Sequence, residues 1–178
     1  MLIAMAGLPG TGKSSLAARL RTALGAVVLG KDDVRSILFP APVLDYSVEQ
    51  DDLTMQAIYS AAGYIRRTFP GQTVILDGRT FLRPGQLDDL LALAESLHEA
   101  PHVIECVCDD AVAQERLERD LARGEHPARN RTFDLYLALK KEVKSIALRK
   151  LVLDTGKWTR EECVERCLAY LRGASKPE

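Results

Sequence analysis

The sequence has almost no excess of either charge, few aromatic residues and no long apolar run. Its 24 Lys and Arg residues are balanced by 25 Asp and Glu residues, and only 6% of the chain is aromatic. This composition argues against a broad cationic surface for nucleic acids or anionic membranes, and against rows of stacking aromatic rings. No apolar stretch approaches the roughly 20 residues that span a bilayer, and the first residues are strand-like rather than a signal peptide. We therefore expect a cytoplasmic protein with no membrane association.

Cysteine is also scarce, and its spacing is not that of a metal site. Cys106 and Cys108 flank one residue of an apolar run, and Cys163 and Cys167 lie four residues apart in a helical pattern. Neither pair has the two-residue separation of a zinc C-x-x-C pair. In a reducing compartment, we expect these thiols to act as small buried apolar side chains.

A phosphate-binding loop follows the first apolar run. Residues 7–14 read G-L-P-G-T-G-K-S, a complete G-x-x-x-x-G-K-S motif. Its glycines let backbone N–H groups point at phosphate oxygens, and the helix that starts at Lys13 adds the positive end of its dipole. Lys13 is predicted to reach the β- and γ-phosphates, and the Ser14 hydroxyl to bind a Mg²⁺ that bridges them. The predicted nucleotide-binding residues of this segment are Gly7, Pro9, Gly10, Thr11, Gly12, Lys13, Ser14 and Ser15.

Apolar runs alternate with amphipathic segments along the chain, which predicts a parallel sheet with helices on both faces. The predicted strands are 2–6, 26–29, 73–76, 103–107 and 151–153. The predicted helices are 14–24, one that begins within residues 30–35, a long one that Ser47 or Asp45 caps and that reaches about 69, and then 84–98, 111–123, 134–148 and 159–171. Pro84 is expected as the first residue of its helix, and Thr159 as the cap of the last one. One domain over 1–173 is predicted, with a flexible tail over 174–178.

Polar side chains follow the second and third strands, at the edge where open parallel sheets bind ligands. Asp32 is the predicted base that takes a proton from an attacking hydroxyl, with Asp33 as the alternative; either carboxylate could instead cap the next helix. Arg35, one turn further on, is predicted to hold an anionic or hydroxylated substrate. Asp77 is predicted to bind Mg²⁺, directly or through water, on the substrate side. Arg79 points to the same region, and a surface salt bridge is an equally weighted interpretation of it.

An arginine-rich helix and the loop after it are predicted to form a lid over residues 116–131. Arg116, Arg119 and Arg123 recur at intervals of three and four, and Arg129 and Arg131 follow around a predicted loop. The acidic residues between them are also typical of a simple solvated helix. As a lid, the segment would exclude water so that transfer outcompetes hydrolysis. In that case Arg123 would contact the transferred phosphate, and Arg119 the nucleotide.

These motifs together resemble those of the P-loop kinases that include polynucleotide 5′-hydroxyl kinases, zeta toxins and chloramphenicol phosphotransferase, often grouped as AAA-type ATP-binding kinases. The resemblance covers nearly the whole chain and rests on residues 7–14, 31–35, 77 and 118–124. It implies an α/β, three-layer P-loop NTPase fold with five parallel strands in the order 2-3-1-4-5. It also implies ATP and Mg²⁺ as cofactors and phosphorylation of a hydroxyl group.

In the polynucleotide kinases, the first aspartate of an R-D-D-x-R element is the base and its arginine binds the substrate, which implies these roles for Asp32 and Arg35. The lid arginine before the glycine corresponds to Arg123. The sequence departs from this pattern at Lys31, where the pattern has arginine, and over residues 78–80, which replace the more usual Thr-Asn. The acceptor can therefore differ while the ATP half is kept.

The leading functional prediction is an ATP- and Mg²⁺-dependent kinase for a hydroxyl of a small molecule, such as a metabolite, nucleoside, sugar or antibiotic. A polynucleotide 5′-hydroxyl kinase is the alternative within enzymes. The balanced charge and the few aromatic residues count against a nucleic-acid partner. A regulatory ATPase that acts as a switch through a protein partner is the alternative of another class. The Asp-x-x-Arg element and the lid arginine favour transfer, because a switch needs no substrate base.

Overall fold

A computed structural model describes residues 1–83, 85–124 and 131–174. In chain order, the strands are β1 (Leu2–Ala6), β2 (Val27–Gly30), β3 (Val74–Asp77), β4 (His102–Val107) and β5 (Lys150–Asp154). The helices are α1 (Lys13–Leu24), α2 (Lys31–Leu38), α3 (Val48–Thr68), α4 (Gln86–Ser96), α5 (Asp110–Arg123), α6 (Phe133–Lys141) and α7 (Arg160–Ala174), with a 3-10 turn at Ala41–Val43. All neighbouring strands are parallel, in the order β2-β3-β1-β4-β5. The predicted fold class and strand order are confirmed.

The central strand β1 is buried on both faces, and its alternating side chains separate two apolar layers. Leu2 and Ala4 point into the layer that contains residues of α3 and α4. Ile3 and Met5 point into the layer that contains residues of α1 and α7. The carboxyl end of β1 is therefore fixed in the middle of the molecule, and the loop that follows it starts from a rigid base.

Two helix starts agree with the predicted capping residues. The Ser47 hydroxyl accepts a hydrogen bond from the backbone N–H of Gln50 at the start of α3. At the start of α7, the Thr159 hydroxyl accepts from the backbone N–H of Glu162, and the Glu162 carboxylate accepts from that of Thr159. This reciprocal pair is a capping box. The predictions for Pro84, for Arg129 and for residues 175–178 of the tail lie outside the described residues.

The helix predicted over residues 134–148 was too long, because α6 ends at Lys141. The apolar spacing beyond that point comes from an irregular segment that packs on the core. The backbone N–H of Lys144 donates to the Leu82 carbonyl oxygen at 2.9 Å, and Ile146 is buried in the same layer as β1. Tertiary packing has therefore outweighed the local helical pattern.

The cysteines are mainly core residues, as the sequence predicted. Cys106, Cys163 and Cys167 are buried together in the layer between the sheet and α7, whereas Cys108 is half-buried. Burial raises the pKa of Cys106 and Cys167 to about 12, so both thiols are protonated near neutral pH. Among the helices of the described ranges, none is both long and apolar enough to cross a membrane.

Candidate active site

The loop between β1 and α1 has a conformation that requires its glycines. Gly7, Gly10 and Gly12 have φ angles of 125°, 77° and 87°, in the region that L side chains rarely adopt. A Cβ on Gly7 would lie 2.2 Å from the Cys106 carbonyl oxygen, and one on Gly10 would lie 2.9 Å from that of Ala113. The loop is thus packed directly against β4 and α5. Gly12 has no side chain to cap α1, so the first N–H groups of that helix are left for an anion.

Lys13 and Asp77 form the polar centre of this loop. Both are buried, and the Lys13 ammonium donates to the Leu8 carbonyl oxygen at 2.7 Å. Burial lowers the pKa of Lys13 to about 8, although the nearby Asp77 carboxylate acts in the opposite direction. Within the described part of the chain, the Asp77 Oδ1 atom is buried without a hydrogen-bond partner. Ser14, by contrast, is exposed, and its hydroxyl lies at the start of α1.

An unpartnered carboxylate oxygen in a buried site is costly unless a ligand satisfies it. The Asp77 carboxylate and the Ser14 hydroxyl offer oxygen atoms, which are the ligands that Mg²⁺ prefers. These two residues therefore fit the metal role that the sequence predicted for them.

A cleft of about 1360 Å³ runs from this loop over the carboxyl ends of β2 and β3. Of the predicted site residues, the cleft is lined by Pro9, Gly10, Gly12, Lys13, Ser14, Ser15, Asp32, Arg35, Arg79, Arg119 and Arg123. Gly7, Thr11 and Asp77 are buried and are not among its lining residues, and the Thr11 hydroxyl donates to the Leu8 carbonyl oxygen at 2.7 Å. The structure thus brings together, around one space, the phosphate loop and residues that the sequence predicted for the acceptor side and for the lid.

Asp32 and Asp33 differ in their positions, although they are adjacent in the first turn of α2. Asp32 lines the cleft, and its Oδ1 lies 3.9 Å from Arg35 Nη1. The Asp33 carboxylate instead folds back toward the start of the helix, where a Cβ on Gly30 would lie 2.8 Å from its Oδ2. Arg35 is buried and also forms a salt bridge with Asp51 of α3. Asp32 is therefore the better placed of the two carboxylates for contact with a ligand.

Arg79 forms salt bridges, but it is not on the surface. It is buried beside the cleft, and it donates to Asp52 Oδ1 at 2.7 Å and to Asp89 Oδ2 at 2.8 Å. Its guanidinium is also 3.7 Å from the Asp51 carboxylate. The salt bridges are thus present, at a buried position rather than on the surface, and Arg79 also lines the cleft.

Sequence reasoning missed the acidic residues of α3. Asp51 accepts from Lys31 Nζ at 2.6 Å and from Arg35. Burial alone would raise the pKa of Asp51, but the nearby cations, Lys31 above all, lower it below its usual value. Asp51 lies four and seven residues before the buried Met55 and Ile58. An acidic residue on the apolar face of a helix is the signal that would have identified it.

Arg116 was predicted as part of the lid, and it lines the cleft, but the structure anchors its guanidinium to the loop after β5. Its Nη1 donates to the Thr155 hydroxyl at 2.9 Å, and its Nη2 donates to the Thr155 carbonyl at 2.8 Å. The Thr155 hydroxyl in turn donates to the Thr11 carbonyl at 2.8 Å. This clamp joins α5, the phosphate loop and the loop after β5. Nothing in the sequence spacing of Arg116 and Thr155 indicates it.

The end of α5 carries the two arginines with predicted nucleotide and phosphate contacts. Arg119 is exposed, lines the cleft and lies 3.7 Å from Glu115 on its own helix. Arg123 is the last residue of the helix and also lines the cleft. Gly124 follows with a φ of 64° and ends the helix. Arg131, after the undescribed segment 125–130, lines the cleft as well.

A G-x-x-x-x-G-K-S loop between β1 and α1, in a parallel sheet of this order, defines a P-loop NTPase. The family profile described as an AAA domain matches residues 2–142, so the chain belongs to this family. A curated relative, the adenylyl-sulfate kinase of Bacillus licheniformis, is 29% identical over 181 residues, which cover 98% of this chain and 86% of the relative. Together with the solved structures below, this confirms the predicted membership of the P-loop kinase group.

Two solved structures show the same fold over almost the whole chain. A gluconokinase of Sinorhizobium meliloti has a TM-score of 0.68 at 17% identity, and the match covers 98% of this chain and 93% of that one. The APS kinase of Mycobacterium tuberculosis in complex with AMPPNP and APS has a TM-score of 0.70 at 16% identity, with 96% of each chain covered. At such low identity, these likenesses concern the fold.

Proposed function

We propose that this protein is an ATP- and Mg²⁺-dependent kinase that transfers the γ-phosphate of ATP to a hydroxyl group of a small molecule. The observation that carries this proposal is that one cleft is lined by both the phosphate loop and Asp32. Phosphoryl transfer needs a held triphosphate and a group that accepts the proton of the nucleophile, close to each other and shielded from water.

On the nucleotide side, backbone N–H groups at the start of α1 and the Lys13 ammonium bind the phosphates. To do so, Lys13 leaves the Leu8 carbonyl oxygen that it contacts in the structure. Ser14 and Asp77 would hold Mg²⁺, which would neutralise negative charge on the nucleotide phosphates. The clamp between Arg116 and Thr155 keeps the loop in place from below.

On the acceptor side, Asp32 takes the proton from the attacking hydroxyl, and Arg35 orients the Asp32 carboxylate. Arg119 and Arg123 also line the cleft. Arg123 stabilises the charge that develops on the transferred group, and Arg119 contacts the nucleotide. Closure of the lid over these residues would exclude water and favour transfer over hydrolysis.

The names of the relatives support a small acceptor. An adenylyl-sulfate kinase and a gluconokinase are kinases named for small molecules, not for nucleic acids or proteins. The near-neutral net charge of this chain supports the same choice over a polynucleotide kinase.

The test is transfer of label from γ-labelled ATP, with Mg²⁺, into a cell extract to which a 5′-hydroxyl oligonucleotide is added, followed by fractionation by size. We expect label in small molecules, lost on Lys13→Ala and reduced about 100-fold or more by Asp32→Asn. Asp33→Asn is the matched control, because it removes the neighbouring charge outside the cleft, and it should stay within about threefold of the wild type.

Two results would contradict this proposal. Label on the oligonucleotide would make the protein a polynucleotide kinase. Release of free phosphate alone, unchanged by Asp32→Asn, would leave a regulatory ATPase instead of a kinase.

A further inference from the structure

Asp51 of α3 contacts three cations that come from other parts of the chain. Lys31 Nζ donates to its Oδ1 at 2.6 Å, Arg35 Nη2 donates to the same oxygen, and Arg79 Nη2 lies 3.7 Å from its Oδ2. The Asp51 side chain lines the cleft and is 22% exposed. Burial raises its pKa, but the three cations outweigh this effect and lower the pKa below its usual value, so Asp51 is ionised near neutral pH.

The cations depend on Asp51 to different degrees. Arg79 has two closer partners, since it donates to Asp52 at 2.7 Å and to Asp89 at 2.8 Å. Arg35 is buried, and among the residues that the structure describes, Asp32 is the other carboxylate within salt-bridge distance of its guanidinium. A buried guanidinium is unfavourable without a carboxylate close by. Loss of the Asp51 charge would therefore draw Arg35 toward Asp32.

Arg35 divides its two terminal nitrogens between these carboxylates. Its Nη2 donates to Asp51, whereas its Nη1 lies 3.9 Å from Asp32 Oδ1. This separation is too long for a hydrogen bond, although side chains three residues apart on a helix can reach direct contact. A direct hydrogen bond from a guanidinium stabilises the ionised form of a carboxylate and makes it a weaker acceptor of a proton.

We propose that Asp51 is a positioning residue for the base. By holding Arg35 Nη2, it keeps the guanidinium at a distance from which Arg35 orients Asp32 without a direct hydrogen bond. Lys31 supports this arrangement, because it donates to the same oxygen of Asp51 from the start of α2. The inference rests on the proposed kinase function, in which Asp32 accepts the proton of the acceptor hydroxyl. It adds a residue that acts on this step only through Arg35.

The first test detects the position of Arg35 by NMR, with protein labelled with ¹⁵N at arginine and with no nucleotide or acceptor present. The Arg35 Nε–H signal, assigned through Arg35→Lys, is compared in the wild type, in Asp32→Asn, in Asp51→Asn and in the double variant. We expect Asp32→Asn to change this signal at least about threefold more when Asp51 is also replaced, because Arg35 then pairs with Asp32. An equal change in both backgrounds would overturn the proposal.

The second test measures transfer of label from γ-labelled ATP into the small-molecule fraction of a cell extract. Serial dilution of this fraction separates the maximal rate from the amount that gives half of it. Asp51→Asn should lower the maximal rate about tenfold or more, because the base is displaced and weakened. In the Asp32→Asn background it should cause less than about twofold further loss, since the residue that it positions no longer accepts a proton. A merely structural role would cause the same loss in both backgrounds.

Two further variants serve as the rescue and the control. Asp51→Glu keeps the charge and should recover part of the rate that Asp51→Asn loses. Glu49→Gln removes one negative charge from an exposed position of the same helix, outside the lining of the cleft, and should stay within about twofold of the wild type. The affinity for Mg²⁺ and AMPPNP should stay within about twofold in all of these variants, because none of them alters the phosphate loop.

An unchanged rate in Asp51→Asn, or an equal further loss in the Asp32→Asn background, would overturn the proposal. If Asp51→Asn does not fold, Asp51→Glu takes its place in both comparisons, because the longer side chain moves the carboxylate relative to Arg35. Absence of transfer in the wild type would contradict the kinase function. The NMR comparison, which involves no turnover, would then decide by itself whether Asp51 positions Arg35.

Discussion

The low pKa of Lys13 predicts that nucleotide binding is linked to proton uptake. In the free protein, burial lowers the pKa of this ammonium to about 8, from an ordinary value of 10.5. The difference of about 2.5 pKa units corresponds to roughly 3 kcal/mol against the charged form. A bound triphosphate brings negative charge to the ammonium and raises its pKa again. Lys13 is therefore partly neutral in the free protein at pH 8 and charged in the complex.

The sign and size of the effect follow from these two states. Binding of the nucleotide restores the proton that a fraction of the Lys13 side chains has lost in the free protein. With a pKa of about 8, the average uptake is about 0.5 proton at pH 8 and about 0.9 proton at pH 9. The affinity for the nucleotide accordingly falls by up to about tenfold for each pH unit above 8. Below pH 7, Lys13 is charged in both states, and its contribution to the pH dependence disappears.

Isothermal titration calorimetry measures this uptake directly. Mg²⁺ and AMPPNP are titrated at pH 8 and pH 9 in buffers with different enthalpies of ionisation, above the range where phosphate groups themselves titrate. Lys13→Met should abolish the uptake, whereas Lys157→Met, at an exposed position, should keep it. Equal uptake in the wild type and in Lys13→Met would refute the argument, because the proton would then come from another group.

Two further substitutions test how the phosphate loop is held. Gly10→Ala should lower the affinity for ATP about tenfold or more and destabilise the fold by about 1–3 kcal/mol, because its Cβ would meet α5. Gly25→Ala, also at positive φ but in open space, should destabilise the fold by about 1 kcal/mol and leave the affinity unchanged. Calorimetry measures the affinity, and thermal unfolding measures the stability. Arg116→Met should raise the KM for ATP about tenfold with a smaller effect on kcat, because it frees the loop without removing a group that touches the phosphates. An unchanged KM would show that the phosphate loop keeps its position without the contact between Arg116 and Thr155.

The phosphate loop and the sheet around it could be predicted because their determinants are local. Eight consecutive residues contain the glycines, the lysine and the serine, and the positive φ angles of Gly7, Gly10 and Gly12 depend on the absence of a side chain at those positions. Strand β1 could be predicted because a strand buried on both faces is apolar at every position. The strand order, which is not a local property, was available only through the resemblance to P-loop kinases.

The polar residues after β2 and β3 show what could not be predicted from the sequence. Asp32, Arg35 and Arg79 were singled out from their places after strands, but the partner that joins them was not. Asp51 lies 16 residues from Arg35 and 20 from Lys31. Its role depends on how α3 crosses α2, and no spacing rule specifies that crossing. The same limit applied to α6, whose apolar pattern continued past Lys141 although the helix did not.

The sequence by itself therefore determined the class of protein and the place of the phosphate loop, because short-range sterics and a contiguous motif specify both. Only the tertiary structure decided which charges meet. It placed Asp32 and not Asp33 in the cleft, and it tied Arg116 to Thr155, 39 residues away. It also gathered Lys31, Arg35 and Arg79 around Asp51. Electrostatic interactions depend on distance and burial, and residues far apart in a chain acquire both only when it folds.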